Sequence, residues 1–119
     1  MPKLAVIILT KNEENNIVDC IRSVDFADEI IVIDSGSVDK TKQLAEDLNA
    51  KFVYHAMTEG FAGQRNFALT QTDAEWVFYL DADERVTPAT ADKIREIVNR
   101  DEKVVYSIRR ENIVFGQRM

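Results

Sequence analysis

Asp81-Ala82-Asp83 sets two carboxylates one residue apart, directly behind the apolar run Trp76-Val77-Phe78-Tyr79-Leu80. In extended backbone, side chains two apart point the same way. Two hard oxygen donors on one side suit Mg²⁺ or Mn²⁺, which bind through one or two carboxylates plus the phosphates of a ligand. With 1 histidine and 1 cysteine in the chain, no Cys/His set offers a zinc site instead. The competing reading is a turn with helix-capping acids. The position behind so apolar a run favours the metal.

Other polar residues follow apolar runs in the same way. Thr10, Asn12 and Glu13 follow Leu4–Leu9, and Asp34-Ser35-Gly36-Ser37 follows Glu29–Ile33. Asp34 has two readings. It can bond local N–H groups in a turn that Gly36 makes permissive, or accept hydrogen bonds from a nucleotide base or ribose. Arg65, in Gly63-Gln64-Arg65-Asn66, is either a solvated helix cation or a guanidinium fork for a diphosphate. Asn66 reads as a helix-face hydrogen bonder. His55 reads as structural or exposed, and Trp76, Phe78 and Tyr79 as sheet core.

These residues need a frame, and the pattern supplies one. Leu4–Leu9 is a branched apolar run, as expected for a strand buried on both faces of a parallel sheet. Ile17, Cys20, Ile21 and Val24 form a helical stripe, with Asn12 as its cap and Glu13 and Glu14 matching the positive end of its dipole. Glu29–Ile33 is a second strand. Val38, Thr41, Leu44, Ala45 and Leu48 share one face of a second helix capped by Ser37. Phe52–Tyr54 is a third strand, 61–69 a third helix, and Trp76–Leu80 a fourth strand. Thr87-Pro88 opens a fourth helix with Ala91, Ile94, Ile97 and Val98 inward, and Val104–Ile108 is a fifth strand. Alternating strands and helices predict an α/β fold, an open, mostly parallel sheet with helices on both faces. Ligands of such sheets bind beyond the carboxyl ends of the strands, where the strand order reverses.

Composition narrows the partners. The 119 residues suffice for one domain, and 45% hydrophobic with 30% charged residues argues against disorder. A net charge of -6 disfavours nucleic acid as a general partner. Cys20 is expected to be a reduced, partly buried thiol in a cytosolic setting. No run is long enough for a transmembrane segment, and no signal-peptide layout is visible.

Four motifs stand in one order: Ile8-Leu9-Thr10-Lys11-Asn12-Glu13-Glu14, Val32-Ile33-Asp34-Ser35-Gly36-Ser37-Val38-Asp39-Lys40-Thr41, Gly60-Phe61-Ala62-Gly63-Gln64-Arg65-Asn66 and Leu80-Asp81-Ala82-Asp83-Glu84. Together they resemble the nucleotide-sugar-binding part of family 2 glycosyltransferases, which have the glycosyltransferase-A fold, a Rossmann-like half. The Thr-Lys-Asn-Glu-Glu and Asp-Ser-Gly-Ser variants are similar to enzymes that add sugars to the lipopolysaccharide core or other surface glycans.

The resemblance implies roles. Thr10 and Glu13 resemble residues that touch the base and ribose, Asp34 the aspartate that bonds uracil or another base, and Arg65 the basic residue near the base and diphosphate. Asp83 resembles the residue nearest the metal, with Asp81 nearer the ribose; Asn12 and Ala82 complete the donor-binding set. Many relatives carry a second acid where this chain has Ser35, which leaves Asp34 alone.

The implied reaction is transfer of a sugar, UDP-linked or carried by another nucleoside diphosphate, to an acceptor hydroxyl of a glycan or lipid-linked acceptor, with inversion and with Mg²⁺ or Mn²⁺ as cofactor. The catalytic base is expected beyond Met119, because such a base lies well downstream of the Asp-x-Asp triplet; Glu111 has no positional argument. The chain is therefore expected to be a truncated, donor-binding part of a cytoplasmic enzyme, peripheral at the inner face of the membrane, and self-association through exposed apolar surface is expected. The alternatives are a nucleotidyltransferase, which would want a Gly-rich basic loop where this chain has Thr10–Glu14, and a non-catalytic nucleotide-binding module.

Overall fold

The structure, a computed structural model, describes residues 4–100, 105–108 and 112–116. The elements run β1 (Leu4–Thr10), α1 (Ile17–Ser23), β2 (Glu29–Asp34), α2 (Thr41–Asp47), β3 (Lys51–Tyr54), α3 (Gly60–Leu69), β4 (Trp76–Asp81), α4 (Pro88–Arg100), β5 (Val105–Ile108) and β6 (Asn112–Gly116). They form one sheet in the order β3-β2-β1-β4-β6-β5. The first four strands run parallel to one another.

β1 sits between β2 and β4, so the winding runs outward to β3 and then returns across β1 to β4. The strand order therefore reverses between β1 and β4. The strand ends there are level: Thr10 lies opposite Asp34, and Leu9 opposite Asp81.

Alternation along the strands builds two cores. Leu4, Val6, Ile8, Val32, Trp76, Phe78 and Leu80 pack with α1, α2 and α4. Ile7, Ile31, Ile33 and Val77 pack on the other face, around Ala68 of α3. Helices thus cover both faces, which is why the strands read as continuous apolar runs. Each fully buried Ile or Phe contributes roughly 1.5–3 kcal/mol.

The last strands depart from the alternating pattern. The fifth strand is expected to continue the parallel pattern, but β6 pairs antiparallel with β4 and β5 antiparallel with β6. Too few residues separate β5 from β6 for a parallel crossover, so antiparallel pairing is what the spacing allows. The apolar run Ile113-Val114-Phe115 supplies the missing edge partner; Val104 and Glu111 lie outside the described residues.

Two helix starts also differ. Asn16, not Asn12, precedes α1, while Asn12 adopts a left-handed φ of 54°. α2 begins at Thr41, Val38 is 91% exposed, and Ser37 caps nothing. Asp39 takes the capping role, its Oδ1 accepting from the Thr41 N–H at 2.9 Å. α4 starts as expected: the Thr90 N–H donates to Thr87 Oγ1 at 3.2 Å, ahead of a stripe of Ala91, Ile94, Ile97 and Val98.

Candidate functional site

The loops leaving β1 and β2 hold each other. The Asn12 N–H donates to Ser37 Oγ at 2.7 Å, and the Val38 N–H donates back to Asn12 Oδ1 at 2.8 Å. One step on, the Glu13 N–H donates to Thr41 Oγ1 at 2.9 Å and the Glu14 N–H to Asp39 Oδ2 at 3.1 Å. Glu13 Oε1 accepts from Asn16 Nδ2 at 3.1 Å. Both motifs therefore spend much of their polarity on fixing backbone.

Asp34 is the centre of this lattice and is 2% exposed. Its Oδ1 accepts from Thr10 Oγ1 at 2.7 Å and Ser37 Oγ at 2.5 Å. Its Oδ2 accepts from the N–H groups of Gly36 at 2.9 Å and Ser37 at 2.7 Å. A carboxylate offers about four lone-pair positions, so this one is fully used by the chain's own donors. Burial pushes the Asp34 carboxyl up, but the bonds from Ser37, Thr10 and Gly36 outweigh it and hold the group below the usual carboxylate range. Gly36, at φ 130°, takes a backbone conformation that a side chain would strain.

At the end of β4 the acids are free of that lattice. Asp81 and Asp83 are exposed, while Ala82 between them is buried in the α1/α4 core. The extended backbone expected through Asp83 stops at Asp81. The Glu84 N–H donates to the Asp81 carbonyl at 2.9 Å, closing a turn, and Glu84 Oε1 accepts from the Asp81 N–H at 3.0 Å. Asp83 is therefore presented by a turn and not by strand alternation. Arg85 fastens that turn, donating to the Ala82 carbonyl at 3.1 Å and to Asn16 Oδ1 at 3.2 Å. Beneath it, the buried Cys20 Sγ lies 3.6 Å from the Asp81 carbonyl.

Arg65 projects from α3 with its guanidinium carbon 5.5 Å from the centroid of the Tyr79 ring. Strand alternation puts Tyr79 and Asp81 on the same face of β4. A cation over Tyr79 and an exposed acid pair beginning two residues later thus lie toward the carboxyl end of β4, beside the switch point. Among the described residues no three His, Cys, Asp or Glu side chains gather into a metal cage. The donor set fits an ion that draws its remaining ligands from phosphate oxygens and water.

Gln64 is a residue that the sequence pattern does not single out. It is 1% exposed, and its Nε2 donates to the His55 carbonyl at 2.8 Å. Its Oε1 lies 2.6 Å from His55 Nδ1. A polar residue at an inward helical position is the one signal the sequence carried for it. No helix among the described residues is long and apolar enough to cross a membrane.

Comparison with known proteins gives the family. The family model described as Glycosyl transferase family 2 matches residues 5–119. An uncharacterized glycosyltransferase of Rickettsia bellii (strain RML369-C) is 40% identical over 111 residues, covering 90% of this chain and 37% of its own length. The lipopolysaccharide core biosynthesis glycosyltransferase LpsC of Rhizobium meliloti (strain 1021) is 36% identical over 111 residues, covering 88% of this chain and 41% of its own. The chain thus spans about two-fifths of these relatives. Among solved structures, S. aureus TarS 1–349 superposes with a TM-score of 0.75 over 96% of this chain and 47% of its own, at 20% identity, a likeness of fold. Glucosyl-3-phosphoglycerate synthase from Mycobacterium tuberculosis, in complex with Mn²⁺, UDP and glucosyl-3-phosphoglycerate, gives 0.61 at 27% identity, over 68% of this chain and 33% of its own. With its switch point, its level strand ends and its exposed acid pair, the chain has the glycosyltransferase-A fold and belongs to glycosyltransferase family 2.

Proposed function

We propose that these residues form the donor site of an enzyme that moves a sugar from a nucleoside diphosphate, UDP in the first instance, to an acceptor hydroxyl with inversion. The observation that carries this reading is the exposed pair Asp81 and Asp83 at the end of β4, with Arg65 held over Tyr79 on the same face. The relative crystallised with Mn²⁺ and UDP supports the ligand class, and LpsC supports a role in lipopolysaccharide or other surface-glycan synthesis. Such an enzyme draws on nucleotide-linked sugar and works on the cytoplasmic side, at the inner face of the membrane when its acceptor is lipid-linked.

In this reading Asp83, assisted by Asp81, holds a divalent cation, Mg²⁺ or Mn²⁺. Once bound, that ion neutralises charge gathering on the leaving diphosphate. Arg65 binds the same diphosphate from the α3 side with a forked guanidinium. The Thr10–Glu13 loop offers the base and ribose a preformed edge. Asp34 serves that edge by ordering the loops, because its carboxylate has no capacity left for a base. We assign no catalytic base to these residues; their part is donor binding.

Calorimetric titration with UDP, with and without Mn²⁺, tests the reading. Binding should depend on Mn²⁺ and be lost in Asp83→Ala. Equal UDP affinity in the variant, with metal present, would overturn it.

A further inference from the structure

α3 carries Arg65, yet apolar packing does little to orient the first half of this helix. Its buried residues are Gln64 and Ala68, while Phe61 is 60% exposed and Ala62 is exposed. Phe67, Ala68 and Leu69 pack the second half of the helix on the core, but Gln64 is the one buried side chain of the first half, so the orientation of the turn that carries Arg65 depends on it.

Gln64 supplies what packing does not. Its amide makes two bonds to one residue: Nε2 donates to the His55 carbonyl at 2.8 Å, and Oε1 faces His55 Nδ1 at 2.6 Å. Because the amide nitrogen is committed to the carbonyl, Oε1 is the acceptor and His55 Nδ1 carries the proton. His55 is itself fixed. Its ring stacks on Phe67 of α3, with centroids 3.8 Å apart and planes 14° from parallel. Its N–H donates to the Asp34 carbonyl at 2.8 Å. A continuous set of bonds thus runs from the carboxyl end of β2, through His55, to the one polar side chain that α3 buries.

We infer that Gln64 is a positioning residue for Arg65: by clamping the first half of α3 to His55, and through His55 to Asp34, it fixes the roll of that turn and so holds the guanidinium over Tyr79, on the strand face that Asp81 shares. The inference rests on the assignment of Arg65 to the donor diphosphate, and it adds what places that cation. Cation and clamp are neighbours in sequence, which couples them tightly: Gln64 faces inward and Arg65 outward from the same turn.

A double-mutant cycle on the full chain tests the coupling, with UDP and Mn²⁺ as the probe. Arg65→Ala should weaken UDP about tenfold, the loss of one charge-assisted contact. Gln64→Met, close in volume but unable to make either bond, should weaken UDP several-fold in protein shown folded by its melting transition. The double variant should bind no more weakly than Arg65→Ala alone. A Gln64 that served stability only would lower the melting temperature and leave UDP affinity unchanged. That result, or losses that multiply in the double variant, overturns the inference while the diphosphate role of Arg65 stands. Unchanged affinity in Arg65→Ala removes that role and the inference together. Should Gln64→Met not fold, Gln64→Glu takes its place: it keeps an acceptor for His55 Nδ1, while the lost donor and the added charge break the bond to the carbonyl, and it should weaken UDP by at least as much as Gln64→Met.

Discussion

Thr10 and Asp34 face each other across the β1–β2 pairing, and the Thr10 hydroxyl donates to Asp34 Oδ1 at 2.7 Å in a site closed to solvent. One bond thus ties together the two strand ends from which both loops of the site depart. Thr10→Val keeps the shape and removes the donor, leaving a buried carboxylate one partner short. It should cost about 1.5–3 kcal/mol. The check is a denaturant midpoint that falls at unchanged slope; a shift equivalent to under about 0.5 kcal/mol would show that the bond adds nothing.

Acid should loosen the same lattice. The folded Asp34 carboxyl titrates below its ordinary value of 3.8, so its contribution is fully present above that value. It is lost as the pH falls below 3.8 through the lowered folded value. Asp34→Asn should be less stable at neutral pH and should lose less on acidification than the parent. Denaturation curves at neutral pH and about one unit below 3.8 separate the two slopes; parallel losses in both proteins would refute the assignment.

Cys20 should behave as an inert side chain. Burial pushes its thiol up to about 12, against an opposing pull from Arg85. The thiolate is the reactive form, so a thiol reagent at neutral pH should leave the folded protein unlabelled and label it on unfolding. Rapid labelling without loss of structure would contradict the burial.

Gly63 lies one residue before the Gln64 clamp. A Cβ there would fall 2.6 Å from Glu59 Cβ, close to the backbone, where no flexible end can swing aside. Gly63→Ala should therefore destabilise by about 1–3 kcal/mol, although alanine is the better helix former. A rise in melting temperature would show that the first turn of α3 yields easily.

The sequence makes most of the frame legible and less of the site. β1, β2 and β4 are readable because burial on both faces gives uninterrupted apolar runs. α4 is readable because Thr87-Pro88 and its apolar stripe agree. The start of α2 is not, since Val38 fits the helical spacing and yet is held outside the helix by Asn12, a partner 26 residues away. Asn12 resembles a cap by type and position, but its left-handed backbone serves a loop-to-loop bond. β6 is missed because an antiparallel insertion leaves no trace in a strand-helix alternation. Gln64 stays hidden because its partner, His55, lies in the loop after β3. In each case a hydrogen bond to another part of the chain outweighs a local pattern.

The position of β1 in the sheet bears on how the chain assembles. β1 precedes the other five described strands in the sequence and ends up between β2 and β4. Its second partner arrives only when Trp76–Asp81 emerges, since Leu4 pairs with Trp76. Until then an apolar strand keeps an open edge, and parallel pairing across so long a loop is slow. Synthesis from the amino terminus therefore creates a window in which the most hydrophobic strand is half-paired and open to intermolecular pairing. That window closes with the same strand that delivers Asp81, so the acid pair is in place only once the sheet is complete around β1.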